Sequence, residues 1–193
     1  FNTTAKILFD KQRITAVAVT PHREIYFGST NGLYKYISND SITILSRNQK
    51  NELLNNRITS LAVTKDNIIW AATASNGIAV LFKDSVIANI TTQNKLAGNL
   101  CRTEYVHDST VWVATNNGIS KINYTFKRDT IKFSIQNLSE EDGLHKELVN
   151  DMVEYHDTVY AASTDGIIFF PANITPKRED VNTFITGVNI NGK

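Results

Sequence analysis

One phrase occurs four times in this chain: "IYFGSTNGLYKY" (25–36), "IWAATASNGIAVL" (69–81), "VWVATNNGISKI" (111–122) and "VYAASTDGIIFF" (159–170). Each copy is an apolar run, a polar turn ending in glycine, and a second apolar run. The glycines are Gly32, Gly77, Gly118 and Gly166, spaced by 45, 41 and 48 residues. Six or seven residues before each stands a large aromatic: Tyr26, Trp70, Trp112 or Tyr160. Directly after each glycine comes Leu33, Ile78, Ile119 or Ile167. A period of this length marks a repeat architecture, in which one small unit recurs and buries its apolar face against the next copy.

A second anchor runs in step with the first. Phe9, Leu53, Leu96 and Leu144 each precede, by five residues, Ile14, Ile58, Cys101 and Val149. From those positions alternating runs begin: "ITAVAV", "ITSLAV", "CRTEYV" and "VNDMVEY". Each unit therefore reads as a strand, a short polar turn, an aromatic-bearing strand, a tight turn and a third strand. A weaker fourth strand follows ("ITILS", "VIANITT", "IKFSIQN"). The pairs Asn31-Gly32, Asn76-Gly77, Asn117-Gly118 and Asp165-Gly166 predict two-residue type I′ hairpins, because both residue types tolerate positive φ. No helical period of any length is present.

Four-stranded units of about 40–50 residues are β-propeller blades. The reading is all-β: a propeller of four-stranded antiparallel blades, about four of them present. The boundaries fall at 13–56, 57–99, 100–147 and 148–175, with 1–12 as the end of a preceding blade on the evidence of "AKILFD". An open four-blade arc leaves edges unpaired, so the chain is expected to be part of a larger, seven-bladed propeller, with a closed four-blade ring as the alternative.

Composition narrows the function classes. Twenty basic residues against nineteen acidic leave a net charge of +1, which argues against nucleic acid or an acidic membrane surface as partner. No apolar run approaches the ~20 residues that span a bilayer. The chain opens on Phe1 without a leader-like segment, which reads as a mature or excised piece. Its lone cysteine permits no internal disulfide.

The tempting chemistry reads as structure. Cys101 occupies a position that is Ile14, Ile58 or Val149 in the other units, so it is expected to be a small buried hydrophobe. His107-Asp108 and His156-Asp157 recur at the same turn of separate units, where local backbone bonding explains them better than a metal or an acid–base pair. Glu140, Glu141 and Asp142 on one connection read as a solvated run, since a glycosidase needs carboxyls facing each other across a sugar. "GSTNG" lacks the lysine and helix of a phosphate loop. Trp70 and Trp112 sit mid-strand and read as blade-packing residues before sugar platforms. No metal, cofactor or catalytic residue is expected.

A ligand belongs elsewhere. In an up-and-down blade the inter-blade connection and the turn between second and third strands emerge on one face. The residues just before each first strand then ring the mouth of the central channel. On that basis the candidate ligand-binding residues are Gln12, Arg13, Asn56, Arg57, Asn99 and Glu147, beside Leu100 and Leu148. Their amides suit a sugar hydroxyl network, and the arginines suit a uronate carboxylate.

The last unit is more specific still. "NLSEEDGLHKELVNDMVEYHDTVYAASTDGIIFFP" resembles the two-component regulator propeller repeat, through Asp142-Gly143-Leu144, Val149, Tyr160, Thr164, Asp165-Gly166 and Ile167. Trp70, Thr73, Trp112 and Thr115 extend the likeness to the earlier units. Two departures stand out: Gly143 has no counterpart at Glu52 or Lys95, and the family's Trp is Tyr in the first and last units. "FFPANITPKREDVNTFITGVNINGK" is similar to the exit from such a propeller into a Tyr-Tyr-Tyr β-sandwich, which makes 176–193 a linker and first strand.

The resemblance implies the periplasmic or extracytoplasmic sensor region of a hybrid two-component histidine kinase or related transcription regulator. Many such regions, often from gut Bacteroidetes, sense oligosaccharides from glycan breakdown. It implies a non-enzymatic module with an oligosaccharide ligand, further blades and a β-sandwich in the same chain, and a homodimer as one arrangement. A propeller lyase or glycosidase, and a purely structural interaction propeller, are the alternatives.

Overall fold

Alternation of apolar and polar residues carries the chain into short strands at every copy of the repeated phrase. The computed structural model describes residues 11–38, 41–45, 52–144 and 148–175. The first unit supplies β1 (Ile14–Val19), β2 (Ile25–Ser29), β3 (Gly32–Ser38) and β4 (Ser41–Ile44). The second supplies β5 (Ile58–Val63), β6 (Ile69–Thr73), β7 (Ile78–Phe82) and β8 (Ser85–Ile90). The third supplies β9 (Cys101–His107), β10 (Thr110–Thr115), β11 (Gly118–Lys127) and β12 (Thr130–Leu138). The fourth supplies β13 (Val149–Tyr155), β14 (Thr158–Ser163) and β15 (Ile167–Pro171). Within each sheet strand order follows chain order, and every pairing is antiparallel. These are four propeller blades, the last showing three strands among the described residues. The strand expected to precede the first blade ("AKILFD", within 1–10) and the entry to a β-sandwich (176–193) lie outside the described residues.

Successive blades stack through their inner strands, β1 on β5, β5 on β9 and β9 on β13. Three apolar layers fill the gaps. Tyr26, Leu33 and Leu54 lie between the first two blades, Trp70, Val80 and Val111 between the second and third, and Trp112, Met152 and Phe170 between the third and fourth. The repeated aromatics are the keystones. Trp70 meets Tyr124 of the next blade at 5.4 Å between ring centroids, and Trp112 meets Phe170 at 5.5 Å. Both indoles are fully buried, which excludes them as sugar platforms. Tyr26 instead donates to Asp84 Oδ1 at 2.6 Å, and Lys35 bridges Asp84 and Glu24 beside it. Burial opposes the Lys35 charge, but hydrogen bonds to Asp84 and Glu24 outweigh it and hold the ammonium protonated. Tyr160, the equivalent in the fourth blade, is 39% exposed beside Phe169 at 70%, on a face that no other blade covers among the described residues.

The tight turns differ from the expected type. Gly32, Gly77, Gly118 and Gly166 do take positive φ, but Asn31, Asn76, Asn117 and Asp165 do not. A type I′ turn needs both. The reason is a hydroxyl staple. Ser29, Thr73, Thr115 and Ser163 each donate to the carbonyl of the turn glycine at 2.8–3.1 Å. The same oxygens accept from the backbone N–H of Asn31, Asn76, Asn117 and Asp165. Each staple therefore ties up the residue before the glycine and confines positive φ to the glycine itself. The staple of the last blade is Ser163, one residue earlier than the Thr164 matched from sequence. Type I′ geometry forms instead at Lys83-Asp84, Arg128-Asp129 and His156-Asp157, all at positive φ on the opposite turns.

The leucine anchors close each blade. Leu53 is buried within the short 3-10 turn Glu52–Asn55, and Leu96 and Leu144 are buried just after the turns Thr92–Asn94 and Glu140–Asp142. Thr91 N–H donates to Asn94 Oδ1 at 3.1 Å, and Ser139 N–H to Asp142 Oδ2 at 2.9 Å. Asp142 of the acidic run thus caps its own turn. Gly143 leaves its turn at φ 90°, and Lys95 occupies the same left-handed conformation at φ 73°. The missing glycine is a missing residue type, while the backbone shape is retained.

Candidate functional site: two clefts where the blades join

The residues before each first strand face the tight turns, as the up-and-down path requires. Arg13 O, Arg57 O, Leu100 O and Leu148 O accept hydrogen bonds from Thr30, Ala74, Asn116 and Thr164 N–H respectively, at 3.0–3.2 Å. Side chains follow the same rule. Asn31 Nδ2 donates to Gln12 Oε1 at 3.2 Å, and Ser75 Oγ to Asn56 Oδ1 at 3.4 Å. Gln12 and Asn56 therefore brace this face, while the Arg13 and Arg57 side chains stand exposed on it. Glu147 lies outside the described residues.

Two clefts open among these elements. The first, of about 340 Å³, is lined by Asn76 of the β6–β7 turn, Asn89 of β8, Thr91, Thr92 and Gln93 of the following 3-10 turn, and Asn99. Thr92 N–H donates to Asn99 Oδ1 at 2.8 Å, and Gly77 N–H to Asn99 O at 2.9 Å, which fixes this loop against the turn. Amide and hydroxyl groups dominate its lining, and it carries no charged side chain.

A second cleft, of about 330 Å³, is lined by Arg57, Thr59, Leu100, Arg102 and Asn150 over a floor of Ala74 and Cys101. It draws on three blades. Sequence reasoning found Arg57 and missed Arg102 and Asn150, because a ladder irregularity puts them there. In every blade the inner strand carries a bulge one residue after its start, so that Thr15, Thr59, Arg102 and Asn150 have no partner on the adjacent strand. A bulge frees its extra residue from the ladder and re-aims it. Thr15 Oγ1 donates to Ile58 O of the next blade, and Thr59 Oγ1 to Cys101 O at 2.8 Å. Arg102 Nη2 donates to Asn150 Oδ1 at 3.0 Å, and Arg102 Nε is enclosed with no acceptor. The signal in the sequence was the second residue of each first strand, read only as part of an alternating run.

The other candidates have structural roles. Cys101 is fully buried with its thiol toward Gly98 O at 3.7 Å; burial pushes its pKa up, with the Glu104 charge adding to it. His107 Nε2 lies 3.7 Å from Asp108 Oδ2, with both side chains exposed at the β9–β10 turn. Among the described residues no group of three or more His, Cys, Asp or Glu side chains is placed to hold a metal ion.

Comparison with known proteins fits this geometry. Residues 52–75 match the family model described as two component regulator propeller. That stretch is a regulator propeller repeat. The regulator propeller repeat runs from the 3-10 turn before β5 to Ser75, and so contains Asn56, Arg57, the Trp70 keystone and the Thr73 staple. It falls on the second blade, although the likeness read from sequence was fullest in the fourth. No curated protein sequence matches the chain.

Solved structures share the fold. The extracellular domain of a putative hybrid two component system from B. thetaiotaomicron aligns with a TM-score of 0.62 at 14% identity, over 89% of this chain and 23% of that one. The computationally designed Ika4 protein aligns with a TM-score of 0.62 at 13% identity, over 87% of this chain and 99% of that one. A catalytically inactive virginiamycin B lyase from Staphylococcus aureus aligns with a TM-score of 0.58 at 14% identity, over 86% of this chain and 58% of that one. At such identities the likeness shows a propeller fold.

Proposed function

We propose that the chain is the ligand-binding propeller region of an extracytoplasmic signalling receptor of the hybrid two-component type. It recognises a carbohydrate-derived ligand on the face where the blades join. The observation that carries this reading is the uncharged cleft of Asn76, Asn89, Thr91, Thr92, Gln93 and Asn99. A few placed amides and hydroxyls in a cleft of this size are what recognition of sugar hydroxyls needs, since each amide offers a donor and an acceptor side by side. The regulator propeller repeat at 52–75, and the fold shared with a hybrid two component system's extracellular domain, support the receptor assignment. No helix among the described residues is long and apolar enough to cross a membrane.

Binding rather than turnover is supported by the make-up of the clefts. Among the described residues neither lining includes a carboxylate or a histidine, and Cys101 is buried with its thiol held protonated. Glu104, whose carboxyl pKa is pushed up by burial, is packed between blades instead. The lyase likeness, at 14% identity, speaks for the fold and not for an activity. Isothermal titration of the full-length protein's ectodomain against an oligosaccharide panel tests the reading. Binding is expected, weakened at least fivefold by Gln93→Ala with unchanged thermal unfolding. Absence of heat with every glycan, or turnover of any of them, overturns it.

A further inference from the structure

We infer that the second cleft is a carboxylate site, and that the ligand recognised on this face is acidic, bound through Arg57 and Arg102. This deepens the carbohydrate reading above and rests on it for the rest of the ligand. Three observations carry it. First, the bulge position that is threonine in the first two blades is arginine in the third. Threonine at this point ties one blade to the next through a backbone carbonyl. Arg102 makes no such bond. It reaches the neutral amide of Asn150 and spans from the third blade to the fourth.

Second, Arg102 is under-satisfied. Of its guanidinium N–H groups one nitrogen meets Asn150, while Nε is shut from solvent without an acceptor. A guanidinium held only by a neutral amide lacks charge compensation at a cost, and an oxyanion in the cleft supplies that compensation. Third, Arg57 shares the cleft, and none of the seven side chains lining it is acidic. Two guanidinium groups with no counter-ion among the described residues of the cleft raise the local potential and select a negatively charged group. The planar guanidinium fork matches a carboxylate in two parallel hydrogen bonds. Thr59 and Asn150 beside them supply neutral acceptors and donors for adjoining hydroxyls. The cleft's volume of about 330 Å³ lies at the lower end of ligand sites, the scale of a single sugar unit rather than a long chain. A uronic acid unit meets all of these requirements. A small non-sugar carboxylic acid meets the charge requirement alone.

The test is isothermal titration of the full-length protein's ectodomain with three probes: trigalacturonate, neutral β-1,4-galactotriose and succinate. Each is repeated on Arg57→Gln, Arg102→Gln and Arg102→Lys, with thermal unfolding recorded to establish that the variants fold. Trigalacturonate is expected to bind at least tenfold more tightly than galactotriose. Each glutamine variant is expected to lose at least tenfold for trigalacturonate and less than twofold for galactotriose. Arg102→Lys is expected to recover only part of the loss, since an ammonium keeps the charge without the fork. Galactotriose binding as tightly as trigalacturonate overturns the carboxylate site and leaves the carbohydrate reading standing. Unchanged trigalacturonate affinity in folded Arg57→Gln and Arg102→Gln also overturns the site. Succinate binding without either glycan upholds the carboxylate site and overturns the carbohydrate reading. No binding of any probe counts against both.

Discussion

Glu104→Gln probes how the second and third blades are held together. Glu104 stands on β9 opposite Val113, only 7% exposed, at a position that is Leu61 in the second blade and Met152 in the fourth. Burial pushes its carboxyl up to about 8 from an ordinary 4.5, softened by the Ser60 hydroxyl and the backbone of Ala72 and Ala62. These groups lie beside the carboxyl, but none meets hydrogen-bond geometry with either oxygen. In the unfolded chain the group loses its proton near 4.5, while the folded protein keeps it to about 8. Between those values the native state binds the extra proton, so stability falls as pH rises, by about 1.4 kcal/mol per unit. The contribution is whole below the unfolded pKa and is lost progressively up to the folded one.

Between about pH 5 and about pH 8.5 the expected loss is about 4 kcal/mol. Glutamine has nearly the same shape and stays neutral throughout. The variant is therefore expected to match the parent near pH 5 and to exceed it by about 4 kcal/mol near pH 8.5, roughly 8–16 °C in Tm for a chain of this size. Thermal unfolding of both proteins across that range is the assay. Parallel pH profiles would refute the reasoning, because they would mean that Glu104 ionises equally well in both states.

Two further predictions concern the turns. At Gly118 a Cβ would lie 2.3 Å from Leu138 O at φ 113°, whereas at Gly166 nothing among the described residues lies within 4 Å and only φ 151° opposes a side chain. Gly118→Ala is thus expected to cost roughly 3 kcal/mol and Gly166→Ala about 1–2 kcal/mol, a ranking read from denaturant midpoints at constant m. Lys95→Gly should stabilise the protein by about 0.5–1 kcal/mol, since Lys95 sits at φ 73° where glycine meets no Cβ clash; an unchanged or lower midpoint would count against strain at that cap.

The aromatic keystones are legible in the sequence because their signal is periodic and local: Tyr26, Trp70, Trp112 and Tyr160 stand at fixed distances from the turn glycines. The buried role of Cys101 is legible for a related reason, through the apolar residues at the equivalent positions. The turn type is not. Asn-Gly favours I′ in isolation, but a serine or threonine two or three residues earlier competes for the same backbone groups, and the hydroxyl wins in all four blades. The site is half legible. Arg57 and Asn99 follow from where the chain enters each blade, whereas Arg102 reads in the sequence as one more residue of an alternating strand.

Sequence alone therefore determined the repeat, the strand-and-turn grammar of each blade and the apolar layers between blades, since these depend on spacings within about fifty residues. Only the tertiary structure decided which polar groups meet. The inner-strand bulges shift the ladder by one residue without changing the hydrophobic alternation, and they aim Arg102 at Asn150, 48 residues further on. Stacking of separate blades likewise encloses Glu104 without a partner and gathers Arg57, Thr59, Arg102 and Asn150 around one cleft. Such meetings are set by register and packing between units, and a period in the sequence carries neither.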